Sequence, residues 1–221
     1  MIIDAHQHFW DPKRGDYGWL KPYNPIHRVF APADLKPLLD QTGVEGTILV
    51  QAAPSTAETD YMLGIARGTP WVLGVVGWID LLAPDAMNQL RTRAADPLFV
   101  GVRPMLQDLP DPDWILQPVL GPVLETVADT GLIFDALVLS HQVGAITTLA
   151  ARHPRLSILL DHGAKPRLGD AAAMGLWARD MEKLAALPNV ACKVSGLLTE
   201  LGPQGSRDDV ARAIEIGRAH V

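Results

Sequence analysis

Seven short apolar runs recur along the chain, each followed by a segment with helical spacing, and this alternation limits the fold more than any other feature. The runs are Met1 to Ala5, Val44 to Gln51, Trp71 to Ile79, Leu98 to Met105, Leu132 to Leu139, Leu156 to Asp161 and Val190 to Ser195. Between them, apolar residues fall at helical intervals: Leu35, Leu38 and Leu39; Tyr61, Ile65 and Ala66; Met87, Leu90 and Ala94; Val119, Val123 and Val127; Val143, Ile146 and Leu149. Met174, Trp177, Met181 and Leu184 make a sixth set, and Val210, Ala213 and Ile214 a seventh. Asp34, Ser140 and the pairs Ser55/Glu58 and Ser206/Asp209 are expected to cap helices, and Gly43 to end the first. The fourth helix is expected from Trp114 to Gly131. Strands this apolar must be covered on both faces, which a parallel sheet flanked by helices provides. A doubly wound sheet would satisfy the same need, but the first strand-to-helix turn has no glycine fingerprint. The regular repeat predicts an α/β fold, a (β/α)8 TIM barrel that is incomplete, with strand 8 and helix 8 missing.

The chain has 221 residues, 48% hydrophobic and 20% charged, enough for one full core. A net charge of -6 without a basic block argues against nucleic acid or a membrane surface as partner, and leaves a small molecule. Neither a leader-like start nor a run long enough to span a bilayer is present in the sequence, so a cytoplasmic location is expected. The single Cys192 lies in a strand pattern and reads as a small buried thiol, not a nucleophile.

Candidate chemistry begins at the first strand, where Asp4, His6 and His8 alternate with Ile3, Ala5 and Gln7 and therefore share a face. Two neighbouring imidazoles can share a divalent metal or hold a water and a carbonyl oxygen between them. They can equally make a polar rim; their company decides. Barrel chemistry sits at the C-terminal ends of strands. There stand His6 and His8, Gln51, Asp80, Arg103, His162 and Ser195. Arg103 has the planar fork that suits a carboxylate or hydroxyls. Trp10, Trp19 and Trp78 could line a pocket against a sugar-like ring or pack the long loop from Asp11 to Ala31. His27 reads as a surface histidine and His141 as peripheral.

The segments IIDAHQHFW, VQAAPSTAETDYML, GVRPMLQ, LLDHGAKP and CKVSGLLTE, in that order from Met1 to about Ser206, resemble the amidohydrolase superfamily. The resemblance is to its amidohydrolase-related branch, which includes lactonases acting on fuconolactone, rhamnonolactone or pyrone dicarboxylate. It implies a (β/α)8 barrel and a hydrolase opening a lactone by water attack on the ring carbonyl, with metal-dependent decarboxylation as the alternative. By position it places His6, His8 and His162 in the catalytic set and Arg103 on the substrate side, where Gln51, from its strand end, and Trp10, directly after the histidine motif, are also expected. His6 and His8 would take a divalent metal such as zinc, if the enzyme is not one of the branch's metal-independent members. The bridging lysine of two-metal relatives is not evident beside Arg103, so a binuclear site is not expected, and Lys193 reads as structural.

The same resemblance implies an aspartate on an eighth strand as general base, and it has no counterpart here. The chain is expected to be cut short, and inactive as it stands. Residues 1–214 are read as the partial barrel domain and 215–221 as a non-native tail. The ending Ile216-Gly217-Arg218-Ala219-His220-Val221 is what one reading frame of a short-read sequencing adapter would encode, so His220 is not counted as a ligand. Strands one and seven would then keep open edges, which predicts association.

Overall fold

Six of the seven apolar runs contain a strand shorter than the run itself, because the flanking residues already turn toward the next helix; the first strand is displaced two residues beyond its run. The computed structural model describes residues 1–203 and 205–219, so the expected tail falls partly outside the described residues. Two compact units divide at Arg103. The first holds β1 (Ile3–Gln7), α1 (Pro32–Thr42), β2 (Gly46–Val50), α2 (Thr56–Arg67), β3 (Val72–Gly77), α3 (Ala86–Ala94) and β4 (Phe99–Val102). The second holds α4 (Gly121–Asp129), β5 (Ile133–Ala136), α5 (Val143–Arg152), β6 (Ile158–Leu160), α6 (Ala171–Ala185), β7 (Val190–Cys192) and α7 (Arg207–Ala219).

In the first unit β1 pairs with β2, β2 with β3 and β3 with β4; in the second, β5 pairs with β6 and β6 with β7, every pair parallel. Sequence neighbours are thus sheet neighbours, and helices make the crossovers, as parallel pairing requires. These are seven of the eight β/α units of a (β/α)8 barrel, and the fold is that barrel without its eighth unit. Leu49, Val50, Val75, Met62 and Leu90 are wholly buried in the first unit, and Phe134, Ile146, Leu149 and Leu160 in the second. The apolar face of α6 is buried as its spacing predicts, through Met174, Trp177, Met181 and Leu184.

Several local expectations need correction. The first strand starts at Ile3, and it is not a buried one: Met1 is 85% and Ile2 59% exposed. Among the described residues β1 pairs only with β2, so one edge and much of its apolar face lack cover. Ala31, not Asp34, occupies the cap of α1; Asp34 lies inside the first turn and its carboxylate accepts the Ala31 N–H at 2.8 Å. Ser55 does cap α2, accepting the Glu58 N–H at 3.0 Å, but the Glu58 carboxylate turns inward instead of closing the box. The segment from Trp114 is not one helix. Pro118 forces Gln117 to an extended ψ of 131°, which leaves separate single turns at Trp114–Leu116 and Pro118–Leu120 before α4 begins. Ser140 opens a single 3-10 turn before α5, and the cap there is the Gln142 amide oxygen, which accepts the Leu139 N–H at 2.9 Å. Ser206 and Asp209 form the reciprocal pair expected at α7, at 2.9 and 3.3 Å.

One glycine shows how tightly strand and helix are joined. The Thr59 hydroxyl on α2 accepts the Trp78 N–H at 2.8 Å and donates to the Trp78 carbonyl at 2.9 Å, satisfying the end of β3. A Cβ on Gly77 would lie 2.6 Å from Thr59 Cγ2 and 2.8 Å from Phe99 Cε2, so the contact requires glycine. Gly77→Ala is expected to destabilise the protein by about 1–3 kcal/mol, read as a lowered midpoint in urea unfolding; an unchanged midpoint would show that the helix has room to retreat.

Candidate active site

At the end of β1 the two imidazoles converge. His6 Nε2 and His8 Nε2 lie 3.1 Å apart, the rings meeting edge to face at 81°. His8 Nδ1 is 2.7 Å from the Val50 carbonyl. A carbonyl can only accept, so this contact puts the proton on His8 Nδ1 and leaves the lone pair on Nε2. The His6 backbone N–H donates to Asp4 Oδ1 at 3.0 Å, fixing the chain where the strand ends. Two nitrogens bound to one tetrahedral zinc at about 2.0–2.1 Å would be roughly 3.3 Å apart. The pair therefore fits a divalent ion, with the orienting carbonyl that metal-binding histidines commonly have.

Beside it in the same unit, Gln51 and Arg103 are locked together. The Gln51 amide donates to the Arg103 carbonyl at 3.0 Å, and the Arg103 guanidinium donates to the Gln51 carbonyl. The backbone N–H groups of both bond to β3, Gln51 to Val76 and Arg103 to Gly77. Gln51 is fully buried and Arg103 4% exposed. Their sequence positions gave no hint of this exchange across β3.

The long loop folds back on the end of β2. Trp10 and Phe30 exchange backbone bonds at 3.1 and 2.9 Å. The Trp10 indole donates to the Ile26 carbonyl at 3.3 Å and meets Trp19 edge to face, while Trp19 donates to the Ala52 carbonyl at 2.8 Å. The buried Glu58 anchors this loop, accepting from the Tyr17 hydroxyl at 2.8 Å and from the Ala52 N–H at 3.2 Å. Burial, ahead of its hydrogen bonds and Arg14, pushes the Glu58 carboxyl above its usual range. His27 and His141 are both exposed.

In the second unit β6 ends in an unusual turn. His162, Gly163, Ala164 and Lys165 have φ of 53°, 59°, 57° and 50°, four successive residues in the left-handed region, three of them carrying a Cβ. Each such residue costs roughly 1–2 kcal/mol, so the surroundings must enforce the turn. His162 Nδ1 lies 2.9 Å from Ser195 Oγ, and Trp177 donates its indole N–H to the Gly163 carbonyl at 2.7 Å. Gly196, at φ 66°, passes so close that a Cβ there would be 3.0 Å from His162 Nδ1. Cys192 is half-buried, its thiol pushed up to about 11 chiefly by burial.

Sequence reading missed an ionic cluster next to this turn. Lys193 Nζ sits 2.6 Å from Asp135 Oδ2 and 2.8 Å from Asp161 Oδ1, with both carboxylates fully buried. The signal was available: a lone acid inside the apolar run LIFDALVL needs a counter-charge.

The family model described as Amidohydrolase matches residues 3–219. The chain is 46% identical over 202 residues to the L-fucono-1,5-lactonase of Burkholderia ambifaria, covering 91% of this chain and 69% of that protein. With the L-fucono-1,5-lactonase of Burkholderia multivorans the identity is 34% over 206 residues, covering 90% and 69%. A crystal structure of an amidohydrolase from Burkholderia multivorans with bound zinc matches 100% of this chain and 80% of that one, with a TM-score of 0.89 at 30% identity. A barrel of parallel β/α units with a histidine pair closing its first strand defines the class as amidohydrolase-like. This chain belongs to the amidohydrolase family.

The Asp135 carboxyl is pushed up to about 7, first by burial and then by Asp161, against the pull of Lys193. A carboxyl raised on folding binds its proton more tightly in the native state, so its contribution is full below the ordinary carboxylate range and is lost as pH rises through about 7. Asp135→Asn is expected to flatten the decline in unfolding free energy between about pH 4 and 7, measured by urea titrations at each pH. An undiminished slope would assign that decline to other groups.

Proposed function

We propose that the protein is a lactonase that opens a lactone of a sugar acid or related carboxylate, by water attack on the ring carbonyl. The observation that carries this is the converging His6/His8 pair, with His8 oriented by Val50, in a chain 46% identical to a protein named L-fucono-1,5-lactonase. In this reading His6 and His8 polarise the carbonyl, and His162 is the further catalytic histidine. Each stands where its strand ends, the position at which barrels assemble their chemistry. A divalent ion such as zinc, held by His6 and His8, would act as a Lewis acid on the carbonyl.

The chain's own groups do the rest. Arg103 and Gln51, held rigid by their mutual bonds, are the residues of the substrate side in this reading. Trp10 offers an apolar wall against the sugar ring. The aspartate that would take the proton from water on an eighth strand has no counterpart among the described residues. The partner in this reading is a small-molecule lactone, with neither nucleic acid nor membrane involved; among the described residues no helix is long and apolar enough to cross a membrane. A cytoplasmic location accords with a lone free thiol at Cys192.

The test compares this chain with a version extended by the eighth β/α unit of the Burkholderia ambifaria relative, each given a panel of aldonolactones while acid release is followed. The extended chain is expected to release acid, and His6→Ala or His162→Ala to slow it by about 100-fold or more. Carbon dioxide released from a carboxylated substrate, or no acid from any lactone with the protein folded and zinc supplied, would overturn the reading.

A further inference from the structure

We infer that Lys193 and Ser195, two residues apart at the end of β7, are positioning residues that together set the pose of His162. The inference rests on the reading of His162 as part of the catalytic set. Residue 193 holds the segment on either side of that histidine with three separate groups. Its backbone N–H donates to the Leu160 carbonyl at 2.9 Å, its carbonyl accepts the Gly163 N–H at 3.1 Å, and its ammonium pairs with the Asp161 carboxylate at 2.8 Å. His162 lies between these attachments with φ 53°, a conformation its Cβ disfavours. One strand residue thus grips the chain before, beside and after the strained position.

Ser195 completes the arrangement two residues further along the chain. Its hydroxyl is 2.9 Å from His162 Nδ1, so the backbone is fixed by Lys193 and the ring rotation by Ser195. Gly196 follows immediately and leaves the ring the space it needs. Asp135 anchors the ammonium from β5 at 2.6 Å, so Lys193 cannot swing away from its second carboxylate. A structural ion pair alone would need neither the left-handed turn nor a hydroxyl on the ring. The combination is what orientation of a working imidazole requires, the role that groups just outside a reactive site commonly play.

The experiment uses the extended chain, with kcat and KM measured on the lactone it hydrolyses fastest and the His162 ring followed by 15N NMR. Ser195→Ala and Lys193→Met are each expected to lower kcat about 10-fold to 100-fold with KM within about threefold, and to shift the His162 ring resonances. Ser195→Thr, which keeps the hydroxyl, should restore both. If Lys193→Met fails to fold because two carboxylates face each other, the K193M/D135N double variant removes that repulsion. Ser195→Ala carries the test in either case. Wild-type kcat and unshifted resonances in a folded Ser195→Ala would overturn the inference. Full activity in His162→Ala would instead overturn the functional reading beneath it.

Discussion

An ammonium group between two buried carboxylates is the interaction on which the His162 turn of the second unit depends. Taking Asp135, Asp161 and Lys193 out of water is costly unless each charge finds an opposite one at close range. Asp135 lies in β5, and Asp161 and Lys193 directly follow β6 and β7, so the cluster forms only when all three strands are in register. It therefore ties the end of β6 that carries His162 to the correct pairing of its neighbours. In the first unit the same task falls to hydrogen bonds on backbone groups, with the Gln51 amide and the Arg103 guanidinium each donating to the other's carbonyl across β3 and Thr59 closing the end of that strand.

The two units thus stabilise their strand ends by different means around comparable histidines. His8 is set by a backbone carbonyl, which has no freedom to move without unpicking β2. His162 is set by a serine hydroxyl and a turn whose conformation opposes it. The long loop after β1 adds a third device. Its aromatic rings are pinned to the β2 end through Glu58, Tyr17 and Trp19, so a segment rich in turn-formers is held by one buried carboxylate.

The strand and helix repeat was legible because parallel strands covered on both faces must be apolar throughout, and the helices between them must be apolar on one side. The placement of His6, His8, Gln51, Arg103 and His162 at strand ends was legible for a related reason: each closes or directly follows an apolar run. Helix beginnings were read less well. Asp34, Ser140 and Glu58 each have a side chain suited to capping, yet which backbone N–H a carboxylate or hydroxyl reaches depends on where the chain arrives from. The split at Pro118 was visible in the residue itself, and apolar spacing obscured it. The Lys193 cluster needed a pairing between distant strands, which no local pattern contains, although Asp135 alone signalled that a partner must exist.

The contact between His8 and the Val50 carbonyl has a consequence for how the pair responds to acid. With Nδ1–H committed to that carbonyl, the single lone pair of the ring is at Nε2, the atom facing His6. An incoming proton and an incoming cation therefore compete for one orbital, and neither can be accommodated at the other nitrogen without breaking the strand-end contact. Were a metal held by this pair, its occupancy and the acidity of the solvent would be coupled through that single atom, and the carbonyl of an apolar strand residue would set the coupling.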